Sequence, residues 1–130
     1  MLGAVVFAVC VSLPLVGGRR ASTLTAVPVR LQGNEFRPAE IRVRPGDTVR
    51  FVNGNGGPHN VMFIKDSIAP AARDLIARVM KDQLQPFTGP LLLDPDETYI
   101  FVVPAMDPDR YPLACLPHQA NKRGALIVSR

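Results

Sequence analysis

Proline and glycine punctuate this chain so densely that they set the first limit on its fold. Thirteen Pro and ten Gly occur among 130 residues. Because proline interrupts helices and glycine marks turns, this density argues against a long helical bundle and favours a turn-rich, mostly β chain. A chain of this length has room for one small domain and no second independent core. Hydrophobic residues make up 47% and charged residues 20%, so the chain is not of the disordered class.

Short segments that alternate apolar and polar residues fill the intervals between the turns, as half-buried strands do. The predicted strands are Val27–Leu31, Glu40–Arg44, Thr48–Asn53, Asn60–Ile64, Thr98–Val103, Tyr111–Cys115 and Ala125–Val128. Turn signals separate them, most clearly Pro45-Gly46-Asp47 and the glycine-rich loop 54–58. This series of short strands predicts an all-β fold, either a β-sandwich or a barrel.

One segment has the period of a helix. In residues 66–85 apolar side chains recur three and four positions apart, with charged residues between them. Pro70 falls in the first turn, where a helix tolerates proline. We therefore expect one inserted amphipathic helix over about residues 67–85, packed on the strands as a lid.

The N-terminal segment is apolar. Residues 1–18 carry no charged side chain and are followed by Arg19 and Arg20. Such a segment is typical of a secretory signal peptide or a short membrane anchor, and a buried apolar strand is the alternative. A basic pair after the apolar run is irregular for export. We expect residues 1–26 to be a signal peptide or N-terminal membrane anchor with a linker. Residues 27–130 then form the folded domain, exported to the periplasm or another extracytoplasmic compartment.

The net charge of the chain and the positions of its cysteines limit the classes of function to consider. A net charge of +4 is too small to indicate nucleic acid by itself. Of the two cysteines, Cys10 lies in the apolar leader, so a disulfide to Cys115 is not expected. Cys115 would be a lone thiol in an oxidising compartment, which calls for burial, reactivity or metal binding.

Three side chains suggest a metal site. The chain has two histidines, His59 and His118, each preceded by proline, and Cys115 lies three residues before the second. All three fall in loops at the ends of predicted strands. Two imidazoles and one thiolate form the equatorial ligand set of a blue-copper site. Zinc accepts the same ligands but usually takes a fourth strong one, and no Asp or Glu flanks this loop.

At these residues the sequence resembles the plastocyanin family of the cupredoxins, over about residues 29–128. The motifs that carry the resemblance are Arg44–Asn53, Gly57–Phe63, Asp94–Tyr99 and Tyr111–Gln119. The resemblance implies a Greek-key β-sandwich with one type 1 copper ion between two ligand loops. It also implies a monomer that transfers single electrons between redox protein partners and is not an enzyme.

The resemblance assigns roles residue by residue. His59 is the buried imidazole ligand, Cys115 the thiolate, and His118 the imidazole at the solvent edge. Asn60 matches the residue that ties the two ligand loops together by hydrogen bonds. Tyr111 matches an aromatic residue of the core that also forms a hydrogen bond.

Two positions depart from the family. Arg123 stands eight residues after the cysteine, where the family has an axial methionine, and a protonated arginine cannot ligate copper. The site is therefore expected to be three-coordinate or to have only a long axial contact with a carbonyl or an amide, and its reduction potential is expected to be higher than that of a matched site with methionine. Ala114 replaces an exposed aromatic residue just before the cysteine. A partner is therefore expected to approach only at His118.

These departures leave alternatives open. A module for copper storage, delivery or sensing is the second candidate function. An enzyme with Cys115 as nucleophile is the third, although no oxyanion loop or acidic orienting residue is readable. Lys122 and Arg123 are expected to form a basic rim beside His118 that would steer a partner with an acidic docking surface. No nucleic acid partner is expected, and any membrane attachment would come from the N-terminal segment.

Overall fold

The structure is a computed structural model that describes Gly3, Gly17 and residues 23–130. The predicted leader and Cys10 therefore lie outside the described residues, apart from those two glycines and the last four positions of the segment. In the part of the chain that is described, no helix is both long enough and apolar enough to cross a membrane.

The described residues form two four-stranded sheets and one α-helix. The strands are β1 (Ala26–Gln32), β2 (Glu35–Arg37), β3 (Glu40–Val43), β4 (Thr48–Asn53), β5 (Met62–Phe63), β6 (Thr98–Val102), β7 (Asp109–Ala114) and β8 (Arg123–Val128), and the helix is α1 (Pro70–Val79). One sheet has the order β2-β1-β4-β6 and the other β3-β8-β7-β5. The pairs β1–β4 and β3–β8 are parallel, and the remaining pairs are antiparallel.

The core lies between the two sheets. Alternate residues of each strand point inward, so β4 buries Val49 and Phe51 while Arg50 between them is exposed. Phe63 and Phe101 bring an aromatic contact across the core, with ring centroids 5.2 Å apart. The all-β fold predicted from the alternating segments is therefore confirmed, and of the two architectures left open it is the sandwich.

Strand β2 was not predicted. It has only three residues, and its exposed ends, Glu35 and Arg37, give it no apolar run. Its middle residue, Phe36, is 2% exposed and packs edge-on against Phe51, with ring centroids 6.5 Å apart. The strand is formed because its position opposite Leu31 of β1 buries that one ring.

The predicted helix over 67–85 is too long at both ends. The observed helix begins at Pro70, whose missing N–H costs nothing in the first turn. After Val79 the backbone becomes extended, and Asp82 adopts a positive φ of 51°. The side-chain amide of Gln83 donates to the carbonyls of Ala77, in the last turn, and of Met80, the residue after the helix. The helix still acts as the expected lid, because it buries Ala72 and Ile76 against the core.

Candidate metal centre

Two loops meet at one end of the sandwich. The first, residues 54–61, joins β4 to β5, and the second, residues 115–122, joins β7 to β8. The antiparallel register of β5 and β7 sets Met62 opposite Ala114, so the residues just outside each strand lie side by side. This pairing brings a histidine of the first loop to the cysteine of the second.

The structure brings the three predicted ligand residues together. One ligand atom from each of His59, Cys115 and His118 lies within 4.8 Å of the other two. The Cys115 Sγ is 3.4 Å from Nδ1 of His118, and the two imidazole centroids are 5.1 Å apart. His59 is 3% exposed and Cys115 is 0% exposed, whereas His118 is partly exposed.

The hydrogen bonds of His59 define which of its nitrogens faces the cluster. Nε2 lies 3.2 Å from the Oδ1 of Asn55, and an amide oxygen only accepts, so Nε2 donates there. Nδ1 therefore keeps its lone pair. That lone pair accepts a hydrogen bond of 3.0 Å from the Nζ of Lys122. The backbone of His59 is held as well, because it exchanges two hydrogen bonds with Leu92.

Asn60 joins the two loops, as the sequence predicts. Its Oδ1 accepts from the backbone N–H of Leu116 at 2.8 Å, and its Nδ2 donates to the carbonyl of Gly89 at 3.2 Å. Its own backbone N–H points at the Cys115 Sγ at 3.5 Å. Because Asn60 is 1% exposed, each of these bonds is protected from water.

Tyr111 and Ala114, which the sequence analysis singled out, both lie near the cysteine. Tyr111 is 3% exposed, and its hydroxyl donates to the carbonyl of Asp107 at 2.6 Å, so it is both a core and a hydrogen-bonding residue. Ala114 is fully buried, so its side chain offers no surface for a partner.

The prediction that Lys122 lies on an exposed rim is wrong. Lys122 is 0% exposed, and only Arg123 of the expected pair is exposed. The reason is the alternation of β8, in which Leu126 and Val128 point into the core. Counting back in steps of two from these residues reaches Lys122, so Arg123 has to face outward.

The turn before β8 holds Lys122 in this direction. The backbone N–H of Lys122 donates to the carbonyl of His118 at 2.9 Å, and that of Asn121 donates to the same carbonyl at 3.0 Å. The lysine amine lies 5.4 Å from the ring centroid of Phe36, within the range of a cation–π contact. The inward direction of Lys122 could have been predicted from the alternation of β8. It was missed because the family spacing of eight residues from the cysteine pointed to Arg123 instead.

Burial and charge set the protonation of the cluster. Burial, together with the smaller effects of the charges of Lys122 and His118, lowers the pKa of His59 to about 4. Burial also lowers the pKa of Lys122, partly opposed by Cys115. His59 is therefore neutral at neutral pH, and its Nδ1 has a lone pair that can bind a metal in place of the hydrogen bond from Lys122.

These donors fit copper. Two imidazoles and a thiolate are the ligands that suit copper, and the cluster of the described residues contains no carboxylate that would favour a harder ion. A centre of two histidines and one cysteine at the end of a two-sheet sandwich defines the class of cupredoxin-like copper proteins.

Comparison with known proteins gives the family. Residues 26–129 match the family described as "Copper binding proteins, plastocyanin/azurin family". The chain belongs to this plastocyanin/azurin family of copper-binding proteins. The resemblance predicted from the four motifs, and copper as the cofactor, are thereby confirmed.

Individual relatives agree. The chloroplastic plastocyanin of Fritillaria agrestis is 37% identical over 118 residues, which cover 87% of this chain and 66% of the relative, slightly less than two thirds of its length. A solved mutant plastocyanin of fern is 25% identical with a TM-score of 0.62, covering 79% of this chain and all of that one. A solved oxidised amicyanin variant is 25% identical with a TM-score of 0.57, covering 80% and 82%.

Proposed function

We propose that this domain transfers single electrons between redox partners through one copper ion held by His59, Cys115 and His118. The observation that carries the proposal is the convergence of these three side chains, whose ligand atoms lie within 4.8 Å of one another, with His59 and Cys115 buried and His118 partly exposed. Copper bound there supplies a one-electron couple between Cu(I) and Cu(II). The solved plastocyanin of fern, which was obtained in oxidised and reduced form, supports this function.

The residues around the cluster are suited to holding ligands still. His59 is fixed by hydrogen bonds to its ring and to its backbone, and Asn60 joins both ligand loops. Ligands fixed in this way keep one arrangement whichever charge the metal has. Little rearrangement between the two oxidation states means a low barrier to electron transfer.

The partner would dock at His118. This imidazole is the partly exposed member of the set, and the exposed Pro117 stands next to it. Ala114 is buried and gives no second route to the cysteine. Since Lys122 is buried, an acidic docking surface on the partner is proposed from Arg123 alone of the expected basic pair.

Visible spectroscopy tests the assignment of the ligands. Protein titrated with Cu(II) should become coloured through thiolate-to-copper charge transfer, with a stoichiometry of one. Cys115→Ser should lose that band while far-UV circular dichroism still shows the folded sandwich. The matched control is Cys10→Ser, which removes the only other cysteine and should keep the band. A band that survives Cys115→Ser would refute the proposal.

Copper storage or delivery is the second candidate, because a lysine amine within the cluster offers a group that competes with the metal for His59. Reduction under a Cu(I)-specific chelator separates the two functions. An electron carrier should keep its copper and regain the same spectrum on reoxidation. Transfer of the copper to the chelator on reduction would instead favour delivery.

We also propose that the domain works as a monomer in an extracytoplasmic compartment, with residues 1–26 as its signal peptide or anchor. The relative from Fritillaria agrestis is named as chloroplastic, and the apolar composition of residues 1–18 supports export. N-terminal sequencing of the protein from soluble and membrane fractions distinguishes cleavage from anchoring.

A further inference from the structure

We propose that Lys122 supplies a fourth ligand to the copper through its side-chain amine. The inference rests on the proposed function, because it adds a ligand to the same centre. The Nζ of Lys122 lies 3.0 Å from Nδ1 of His59, the nitrogen whose lone pair is available to a metal. A metal that takes this lone pair would therefore lie next to the lysine amine.

In the described residues no carboxylate partner explains the burial of Lys122. Lysine is almost never fully buried unless it is paired, yet this side chain is 0% exposed. None of the ion pairs among residues 23–130 includes Lys122. Its polar contact is the imidazole of His59, and its other neighbour is the face of Phe36. A buried ammonium loses its hydration, and the charge of Cys115 offsets this loss only in part, whereas a metal-bound amine needs no counter-charge.

The fold directs the amine to this place. Two hydrogen bonds to the carbonyl of His118 fix the turn, and the inward parity of β8 aims Lys122 at the cluster. When its lone pair binds copper, the proton of the ammonium passes to the solvent, as the thiol proton of Cys115 does. The ligand set then consists of three nitrogens and one sulfur.

A nitrogen ligand should lower the reduction potential, whereas the sequence analysis predicts a high one. Soft sulfur ligands favour Cu(I), so an amine in place of a thioether should favour Cu(II) and lower the reduction potential. An ammonium that stayed uncoordinated beside the metal would act in the opposite direction, because its charge repels Cu(II) more than Cu(I). The sign of the change in potential on Lys122→Met therefore separates ligation from mere proximity.

The direct test is isotopic and needs no variant. Cu(II) protein is prepared with lysine labelled with 15N in the side chain and measured by electron–nuclear double resonance. The sequence has three lysines, and Lys65 and Lys81 are both exposed. We expect a strongly coupled nitrogen that follows the label in the native protein and in Lys81→Met, and that is lost in Lys122→Met. We also expect Lys122→Met to have the higher potential.

Absence of a label-dependent coupling in the native protein would overturn the inference, as would a lower potential in Lys122→Met. Because the labelled native protein answers the question, a failure of Lys122→Met to fold does not affect the test. A thiolate charge-transfer band without lysine coupling would refute the fourth ligand alone. Absence of that band from the native protein would refute the proposed function and the fourth ligand with it.

Discussion

His59 and His118 belong to one cluster but to different parts of the molecule. His59 is 3% exposed, exchanges two backbone hydrogen bonds with Leu92, and has a hydrogen-bond partner on each ring nitrogen. His118 ends a short 3₁₀ turn, is partly exposed, and its ring contacts the Cys115 Sγ at 3.4 Å. The first imidazole is part of the core and the second is part of the surface. This difference suits a centre that holds its metal firmly yet exchanges electrons at one edge.

The largest effect is expected when each imidazole is removed in turn. Both His59→Gly and His118→Gly should lose the native copper spectrum. Added free imidazole should restore it in His118→Gly, because that position opens to solvent and a ligand can enter from outside. It should not restore it in His59→Gly, because the gap is closed by the core and by Lys122. The measurement is a titration with imidazole followed by visible absorption.

Both variants need a check on folding. Far-UV circular dichroism and the thermal midpoint should show that each remains a sandwich before imidazole is added. Equal rescue of the two variants would show that both imidazoles are equally open, and the comparison would then be wrong.

A smaller effect is expected in the stability of the metal-free protein as the pH changes. In the folded protein the pKa of His59 is about 4, whereas in the unfolded chain it is near 6.5. Between these values the unfolded chain binds the extra proton, so stability is fully present above pH 6.5 and falls as the pH falls toward 4. The full difference is about 3 kcal/mol at about 1.4 kcal/mol per pKa unit. Urea unfolding at a series of pH values measures it.

Matched variants show which group causes the change of stability with pH. His59→Gln cannot take up a proton and should show little change between pH 6.5 and 4. His118→Gln should retain most of the change, because burial is the largest cause of the shift in His59. Asp47, whose pKa is lowered by hydrogen bonds from the N–H groups of Thr25 and Arg44, acts only below about pH 4 and so outside this window. A slope that persists in His59→Gln would mean that another group is responsible.

The same contrast between core and surface explains which features the sequence could predict. Alternation located seven of the eight strands, and β2 escaped because only Phe36 of its three residues is apolar. The candidate ligands were predictable because His59, Cys115 and His118 are the only imidazoles and the only thiol that follow the apolar leader. Their ligand chemistry and their positions at the ends of predicted strands were enough to predict that they form one site.

Lys122 could not be predicted from composition or from the family spacing. A lysine after a turn is ordinarily exposed, and the count from the cysteine drew attention to Arg123 instead. The direction of the Lys122 side chain is set by tertiary structure. Leu126 and Val128 fix the inward face of β8, and the turn at His118 fixes where that strand begins. The C-terminal end of the helix was missed for a related reason, since the apolar period continues beyond Val79, where the backbone becomes extended.

The smallest effect concerns the charge beside His118. Arg123 is exposed and begins β8 directly after the ligand loop, whereas Arg130 is exposed beyond the other end of that strand. Seven residues of extended chain span about 23 Å, well beyond a Debye length of about 8 Å at physiological salt. Arg123→Glu should therefore slow oxidation of the reduced protein by ferricyanide about two- to fivefold, the effect of a contact worth less than about 1 kcal/mol. Arg130→Glu, with the same change of charge, should leave this rate nearly unchanged.

Two further measurements vary the ionic strength and the sign of the charge on the oxidant. Raising the ionic strength should slow the native protein with anionic ferricyanide and should have less effect on Arg123→Glu, because charge at the docking rim acts on the rate of encounter. A cationic cobalt complex should show the opposite order, with Arg123→Glu the faster protein. Stopped-flow absorbance of the copper band gives both rates. If Arg123→Glu and Arg130→Glu have the same salt dependence, the overall charge governs the rate, and the proposal that a partner reads Arg123 at the His118 edge is wrong.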